Sequence, residues 1–256
     1  MMKTPLRLLN DRSSAFKHVN NLIPDKCNDL HFPFFVSGGL ELLFCEYGKN
    51  VFGYTHWWCV EEFWSCLKSD PHRLIEMIKL AIEYKFLDER FYHYMQENFQ
   101  TNKDVFVRAA QFYVLNRCNE EGKIFGGKYI DKKYMSDYAY ITLKNTNVSK
   151  LNIQHVEVDN VTNIIENISP ENFLILTPPK FTYGLIPDAV PDTLSDPCVN
   201  HLKLKELLED RQNWAIIYKK HKKIIDMYKN YDIKYFNKYW IETDKKNAEE
   251  IIIVNT

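Results

Sequence analysis

Short apolar runs alternate with stretches of helical periodicity along the first part of the chain. Residues 32–36 form an apolar run typical of a buried strand, and a serine-glycine-glycine turn follows at 37–39. The next residues, 40–44, carry apolar side chains with helical spacing, and residues 50–54 predict a second short strand. Strand, glycine turn, helix and strand in this order predict the opening of a βαβ unit.

The same patterns predict strands and helices through the rest of the chain. Helices are predicted at 57–67, 71–82, 88–99, 104–116, 161–168 and 202–210. Strands are predicted at 151–158, 172–176, 214–218, 233–241 and 250–254. Residues 117–147 indicate a loop-rich insertion, and the prolines within 181–200 indicate an irregular loop. The fold class predicted is α/β, with a mostly parallel sheet that ends in an antiparallel C-terminal hairpin at one edge.

The composition is that of a folded globular protein. Of the 256 residues, 45% are hydrophobic and 26% are charged, which predicts one large domain or one domain with an insertion. Aromatic residues are abundant, with 16 Tyr, 16 Phe and 5 Trp, whereas glycine is scarce at 8 residues. Because cofactor loops in α/β enzymes use glycine, this shortage counts against an intact cofactor cradle.

The net charge of −1 gives the chain no overall attraction for nucleic acid. The charge is uneven, however, because the segment from Arg211 to Lys246 holds ten basic and four acidic residues, a net charge of +6. Two interpretations are open for this segment: a solvated surface, or a face that contacts phosphates. The candidate DNA-binding residues in it are Lys219, Lys220, Lys222 and Lys223.

The six cysteines form no C-x-x-C pair and no cluster with histidine at zinc spacing, so we expect reduced thiols and no metal. The apolar run in residues 1–9 is too short for a signal peptide, and no stretch approaches a membrane span. We therefore expect a cytoplasmic protein, located in the host cytoplasm or the virion if the source is viral, without membrane partners.

Four segments, in order, resemble the D12-class (Dam-type) DNA adenine N6-methyltransferases. Residues 34–39, with Gly38 and Gly39, resemble the strand and loop that cradle S-adenosylmethionine in that family. Residues 110–117, which end in Leu-Asn-Arg, resemble the helix before the DNA-contacting loop, and 249–255 resemble the closing strand. The catalytic Asp-Pro-Pro-Tyr motif corresponds to the tetrapeptide Thr177, Pro178, Pro179 and Lys180.

This resemblance implies a single Rossmann-like, methyltransferase-like domain over residues 1–256. Within it, residues from roughly 60 to 147 would form a helical insertion resembling the family's target-recognition region. The implied cofactor is S-adenosylmethionine, and the implied chemistry is methyl transfer to a flipped adenine.

The chain departs from the family pattern at the positions that carry this chemistry. Thr177 replaces the acceptor for the adenine N6 amine, and Lys180 replaces the ring that stacks on the base. The family's N-terminal glycine pair would fall at residues 10–13, which contain no glycine. Residues 54–58 contain no carboxylate for the cofactor ribose, and Glu61 and Glu62 lie one helical turn too late. Gly38 and Gly39 are the weak remnant of the cradle, so no cofactor is expected.

These departures favour a catalytically inactive homologue that acts as a binding or structural subunit with a protein partner, as in a viral or mobile-element assembly. One alternative is an atypical S-adenosylmethionine-dependent DNA adenine methyltransferase. A second alternative is a DNA-binding module without catalysis, which would use the lysines between 219 and 223.

Two further clusters have two interpretations each. His56, beside Trp57 and Trp58, is either part of a site or a histidine that is hydrogen-bonded at a helix start. The tyrosines near Lys128, Lys132 and Lys133 either stack on single-stranded bases or pack on a partner protein; these are Tyr129, Tyr134, Tyr138 and Tyr140.

Overall fold

The computed structural model describes residues 4–7, 12–83, 88–120, 122, 124, 128–131, 135–157, 161–178 and 199–256. In this part of the chain seven strands form one sheet. They are β1 (Asp29–Phe32), β2 (Asn50–Thr55), β3 (Leu151–His155), β4 (Phe173–Leu176), β5 (Trp214–Lys219), β6 (Asp232–Phe236) and β7 (Glu250–Asn255).

The order of strands across the sheet is β3-β2-β1-β4-β5-β7-β6. The first five strands in this order run parallel, and β7 runs antiparallel to both β5 and β6. The predicted mostly parallel sheet with antiparallel C-terminal strands is therefore confirmed. As predicted, the two C-terminal strands form an antiparallel hairpin at one edge of the sheet, where β6 is outermost and is separated from β5 by β7. The consecutive β7 residues Ile251, Ile252 and Ile253 are all fully buried, which requires cover on both faces.

Ten α-helices connect these strands in the described residues. They are α1 (Phe16–Asn20), α2 (Gly39–Glu46), α3 (Trp58–Ser69), α4 (Pro71–Glu83), α5 (Glu89–Asn98), α6 (Val105–Arg117), α7 (Asp137–Asn145), α8 (Val161–Asn167), α9 (His201–Glu209) and α10 (Lys222–Met227).

The helices form two layers, one on each face of the sheet. Buried residues from α1 to α7 share a large hydrophobic core with one face, and α8, α9 and α10 share a smaller core with the other. Alternation along β5 shows how one strand serves both cores. Ala215 and Ile217 point into the larger core, whereas Trp214, Ile216 and Tyr218 point into the smaller one.

Five helices, α3 to α7, lie between β2 and β3, and α6 packs against both α3 and α4. The sequence predicted a loop-rich stretch at 117–147 and did not predict the helix α7 within it. Ala139 and Leu143, four residues apart, bury one face of α7, and its otherwise polar sequence hid this narrow stripe. Whether residues 60–147 resemble a target-recognition region stays a prediction.

Three strands differ from the sequence prediction by more than one residue. The first was predicted at 32–36 but spans Asp29–Phe32, so only Phe32 is shared, and the third, predicted at 151–158, ends at His155. The first strand ends at Phe32 because Pro33 has no N–H for the ladder, and residues 33–34 form a turn. The sixth strand ends at Phe236 because the Asn237 side-chain oxygen accepts hydrogen bonds from the backbone N–H groups of Tyr239 and Ile241, which closes a tight turn. None of the helices in the described residues has the length and apolar character that crossing a membrane requires.

Candidate functional site at the carboxyl edge of the sheet

Strands β1 and β4 are neighbours, but the chain continues from them in opposite directions, towards β2 and β3 on one side and β5 on the other. In open α/β sheets, ligands bind at such a point beyond the carboxyl ends of the strands. The Thr177 hydroxyl donates a hydrogen bond to the Phe34 carbonyl oxygen at 3.4 Å, and the Phe35 N–H donates to the Tyr54 carbonyl oxygen at 2.9 Å. Residues 33–38, 55–58 and 177–178 therefore meet at one place, called the switch edge below.

Gly38 forms the turn between β1 and α2 and has a backbone φ of +74°, in the left-handed region that favours glycine. A Cβ atom at this position would lie 2.8 Å from Cζ2 of Trp64, so the aromatic ring packs directly on the turn. Gly39 begins α2, and its N–H donates to the Ser37 hydroxyl oxygen at 3.4 Å. Backbone geometry and the chain's own tryptophan thus account for the glycine at 38 without any ligand.

The carboxylates nearest to the end of β2 are engaged within the fold. Glu62 forms an ion pair with Arg108, whose Nε lies 2.9 Å from the Glu62 Oε2 atom, and both side chains are largely buried. Glu61 accepts a hydrogen bond from the Ser65 hydroxyl at 2.5 Å. The Thr55 hydroxyl oxygen accepts from the Trp57 N–H at 3.2 Å. In the described residues, the positions that could replace a ribose-binding carboxylate therefore serve α3 and its contact with α6.

His56 lies between β2 and α3, and its ring packs 4.5 Å from that of Trp57. Its Nε2 atom is buried and has no hydrogen-bond partner among the described residues, so the interpretation as a hydrogen-bonded histidine does not hold for this nitrogen. Burial lowers the pKa of His56 to about 4, with a smaller contribution from His155 at the end of β3. The ring is therefore neutral at physiological pH.

Thr177 follows β4 directly, and Pro178 beside it is buried. The threonine hydroxyl donates a hydrogen bond to the Phe34 carbonyl oxygen, and this bond joins the ends of β4 and β1. Pro179 and Lys180 lie outside the described residues. What the structure shows of the tetrapeptide is therefore a link between strands.

The Leu-Asn-Arg end of α6 holds the N-terminal segment, residues 4–7, a role that the sequence did not reveal. The Asn116 side-chain oxygen accepts from the Arg7 N–H, and its amide donates to the Arg7 carbonyl oxygen, both at 2.8 Å. The same amide donates to the Gly122 carbonyl oxygen at 2.6 Å. The Arg7 guanidinium donates to the carbonyl oxygens of Arg117 and Asn119, each at 3.0 Å.

This N-terminal segment also reaches the switch edge, because the Thr4 hydroxyl donates to the Ser37 carbonyl oxygen. A Cβ at position 122 would lie 1.8 Å from the Arg7 carbonyl oxygen, so the close approach requires glycine there. The segment therefore ties the turn before α2 to the loop after α6. Residues 10 and 11, where the family's glycine pair would fall, lie outside the described residues.

The polar residues of the closing strand, β7, also serve the fold. Glu250 accepts a hydrogen bond from the Arg12 guanidinium at 2.7 Å, in an ion pair that is mostly buried. The Asn255 amide donates to the Arg211 carbonyl oxygen at 2.8 Å. Arg211 itself is buried, and its guanidinium donates to the carbonyl oxygens of Ile168 at 2.7 Å and Ser169 at 2.6 Å.

Because Arg211 is buried, the basic C-terminal segment does not form one continuous surface. Six of its nine lysines lie instead around the carboxyl end of β5. The Lys220 ammonium donates to the carbonyl oxygens of Lys245 at 2.6 Å and Lys246 at 3.1 Å, which brings the loop before β7 beside α10. This group of lysines is called the lysine cluster below and consists of Lys219, Lys220, Lys222, Lys223, Lys245 and Lys246.

The tyrosine-rich segment is only partly described. Tyr129 packs against Tyr92, with ring centroids 5.2 Å apart, whereas Tyr138 is exposed. Tyr134, Lys132 and Lys133 lie outside the described residues. The structure therefore gives Tyr129 a packing role and leaves base stacking untested.

The described residues contain no group of three or more His, Cys, Asp and Glu side chains arranged to hold a metal ion. The five described cysteines are free and buried, and Cys198 lies outside the described residues. Burial raises the pKa of the Cys45, Cys59, Cys66 and Cys118 thiols to about 12, so these side chains stay protonated.

The chain matches no protein-family model and no curated protein. Its function is therefore inferred from the geometry of the switch edge and the lysine cluster.

Proposed function

We propose that this chain is a methyltransferase-fold protein that does not transfer methyl groups and that serves as a binding or structural subunit for a protein partner, as in a viral or mobile-element assembly. One observation carries the proposal. At the switch edge, the residues that resemble cofactor and catalytic motifs are engaged in holding the fold, with Trp64 packed on Gly38 and Thr177 bonded to Phe34.

The sheet supports the fold part of the proposal. Its order places β3, β2 and β1 on one side of the switch point and β4 and β5 on the other, as in doubly wound dinucleotide-binding folds. The antiparallel C-terminal strands agree with what the resemblance to adenine methyltransferases implies. The resemblance implies that the region where that family binds its cofactor and the flipped base would correspond to the switch edge.

The chemistry of Thr177 supports the loss of activity. Methylation of an exocyclic amine places positive charge on nitrogen, which a carboxylate or amide oxygen stabilises by accepting a hydrogen bond. A threonine hydroxyl is a weaker acceptor than a carboxylate or amide oxygen, and here it also links β4 to β1 by a hydrogen bond to the Phe34 carbonyl oxygen. Glu61 and Glu62 bond to Ser65 and Arg108, so neither is placed to hold a cofactor ribose.

Calorimetric titration of the purified protein with S-adenosylmethionine tests the proposal, with a Dam-type enzyme as positive control. We expect no saturable heat at two temperatures and no transfer of a labelled methyl group to varied DNA substrates. Micromolar binding, equivalent to about −8 kcal/mol, together with methyl transfer would favour the atypical enzyme instead. A monomer that binds nothing in its native lysate would contradict the subunit role.

A second candidate function, nucleic-acid binding without catalysis, is favoured by the lysine cluster. Lys219, Lys222 and Lys223 are exposed, and the bonds from Lys220 add Lys245 and Lys246 to the same surface. Lysines brought together in this way suit phosphate contacts.

Fluorescence anisotropy with a labelled duplex at several salt concentrations tests this second candidate. We expect Lys222→Glu/Lys223→Glu to weaken binding and to reduce the slope of log K against log salt by about 0.9 for each lost phosphate contact. Lys103→Glu/Lys203→Glu, at two exposed positions outside the cluster, is the control with the same change in net charge. Equal effects of both variants would show that only net charge matters.

A further inference from the structure

A loop with exposed apolar side chains lies at the same edge of the sheet as the lysine cluster. Strands β5 and β6 both run antiparallel to β7 and hence parallel to each other, so the segments at their carboxyl ends, 219–223 and 237–246, meet at one edge. The Lys220 N–H donates to the Glu249 carbonyl oxygen at 2.7 Å, and its ammonium donates to the Lys245 carbonyl oxygen at 2.6 Å. These bonds join the two segments into one surface, called the basic surface below.

The tip of the loop turns two large side chains outward. Tyr239 is 71% exposed and Ile241 is 62% exposed. Trp240 between them is turned inward, with its ring centroid 5.5 Å from that of Phe236. Its carbonyl oxygen accepts a hydrogen bond from the His18 Nε2 atom at 2.7 Å. Exposed apolar side chains on both sides of an anchored tryptophan are placed to contact a partner and add nothing to the core.

The backbone of this tip is held in a strained conformation. Trp240 has a φ of +60°, in the left-handed region that a residue with a Cβ rarely adopts. Its N–H donates to the Asn237 carbonyl oxygen at 3.0 Å, which adds to the bonds from the Asn237 side chain described above. Strain of this kind persists only where surrounding contacts fix it, and it is concentrated at functional sites. The tip is therefore preorganised, and little conformational freedom is lost when a partner binds.

The charge of the basic surface favours an anionic partner. Residues 219–223 and 237–246 contain seven lysines and two acidic residues, a net charge of +5. One of the two, Asp244, is bonded to backbone N–H groups of its own loop. At the tip, the Lys238 ammonium lies 5.0 Å from the ring centroid of Tyr239, so a cation and an exposed aromatic ring occur together. Strands with unpaired bases match this combination, because lysines contact their phosphates and aromatic rings stack on their bases.

We propose that the basic surface binds single-stranded nucleic acid, with phosphates at the lysine cluster and a base stacked on Tyr239. The inference rests on the second candidate function and narrows it from nucleic acid in general to unpaired strands. The bases of a duplex are stacked on one another, so a duplex offers phosphates to the lysines but no base face to Tyr239. Ile241 and Lys245 are four residues apart, at most about 14 Å, so one short strand spans the tip and the cluster.

Fluorescence anisotropy of the full chain with three labelled probes tests this inference. The probes are an oligothymidylate of about 12 nucleotides, a duplex of the same length and an abasic strand of the same length. We expect the oligothymidylate to bind about tenfold more tightly than the abasic strand, because the abasic strand keeps the phosphates but cannot stack.

Tyr239→Ala should weaken oligothymidylate binding about tenfold and leave the duplex and the abasic strand unchanged. Tyr239→Phe keeps the ring and should bind all three probes normally. Tyr94→Ala, which removes a tyrosine that is 61% exposed on α5, is the matched control and should change none of them.

Salt separates stacking from phosphate contacts. The loss caused by Tyr239→Ala should stay the same as the salt concentration rises, because stacking is not screened. The loss caused by Lys222→Glu/Lys223→Glu should shrink, because salt competes with phosphate contacts.

Three results would overturn the inference. Equal affinity for the oligothymidylate and the abasic strand, or normal binding of all probes by Tyr239→Ala, would mean phosphate contacts alone and would leave the second candidate function standing. Displacement of the oligothymidylate by poly-glutamate at the same concentration of charge would identify a surface for acidic proteins. No binding of any probe at low salt would remove the second candidate function and this inference with it.

Discussion

The switch edge and the lysine cluster both lie at carboxyl ends of strands in one sheet, but they use their polar groups in opposite ways. At the switch edge, Thr177 and the turn at Gly38 are bonded to or packed against other parts of the chain, and Glu62, in the α3 helix that follows, is paired with Arg108. In the cluster, Lys219, Lys222 and Lys223 are exposed and have no side-chain bond within the described residues. Because unbonded charges are available to a partner, the difference separates a region that stabilises the fold from one that is free to bind.

Gly38→Ala should destabilise the protein most, because it combines a strained backbone with overpacking against Trp64 at the switch edge. A left-handed backbone costs about 1–2 kcal/mol for a residue with a Cβ, and overpacking against Trp64 adds about 1–3 kcal/mol. We therefore expect the free energy of unfolding in urea to fall by about 2–5 kcal/mol.

Gly48→Ala is the matched control for this change. Gly48 has a φ of +85°, but a Cβ there would meet only the Lys150 Nζ atom at 3.9 Å, so only the backbone penalty applies. If both variants lose the same stability, Trp64 does not press on the turn, and space for a ligand at Gly38 has to be reconsidered.

Asn116→Ala should follow in size, with a loss of about 2–4 kcal/mol. The substitution leaves the Arg7 N–H and the carbonyl oxygens of Arg7 and Gly122 without their partner. Limited proteolysis should then cleave the N-terminal segment faster than the remaining chain. Asn145→Ala, at an exposed helix end, is the control and should change neither measurement. An equally stable Asn116→Ala protein would show that the segment is held mainly by its buried Leu6.

These contacts mark the limit of what the sequence predicts. Hydrophobic periodicity predicted the alternation of strands and helices, and adjacent parallel strands then bring residues 33–38 and 177–178 to one edge. The pairing of Arg7 with Asn116 and the packing of Trp64 on Gly38 join side chains far apart in sequence. Periodicity is a local signal, and such contacts depend on how whole layers pack.

A similar limit applies to the end of the chain. The sequence predicted a last strand at 250–254, and the structure shows this strand inside the sheet with Ile251, Ile252 and Ile253 fully buried. The lysines at 245 and 246 gave no sign that Lys220 would hold their loop beside α10, because that bond depends on the tertiary position of the loop.

The low pKa of a buried histidine should lower the free energy of unfolding by about 3 kcal/mol in acid. This prediction extends the comparison to pH. His31 in β1 is 7% exposed, bonded to the Tyr54 hydroxyl and the Asn172 amide, and burial lowers its pKa to about 4. The unfolded chain binds a proton near pH 6.5, whereas the folded chain does so only near pH 4. Stability is therefore fully present above about pH 6.5 and falls as the pH drops towards 4.

Thermal unfolding between pH 7 and pH 4.5 measures this loss. His31→Asn should flatten the fall in melting temperature over this range. An unchanged slope in His31→Asn would mean that other groups dominate acid unfolding, among them His201, whose pKa burial also lowers to about 4.

Lys220→Ala should have the smallest effect on stability, about 1 kcal/mol, because its two hydrogen bonds lie at the surface. The substitution should loosen the loop at residues 245–247 more than it destabilises the whole protein. Amide hydrogen exchange at residues 245–247 should accelerate, since Asp244 alone would then hold them through its bonds to the Lys246 and Asn247 N–H groups, at 2.8 Å and 2.9 Å. Lys222→Ala is the matched control and should leave both stability and exchange unchanged. If Lys222→Ala destabilised the protein as much as Gly38→Ala, the cluster would be structural like the switch edge, and it would no longer be a surface free to bind.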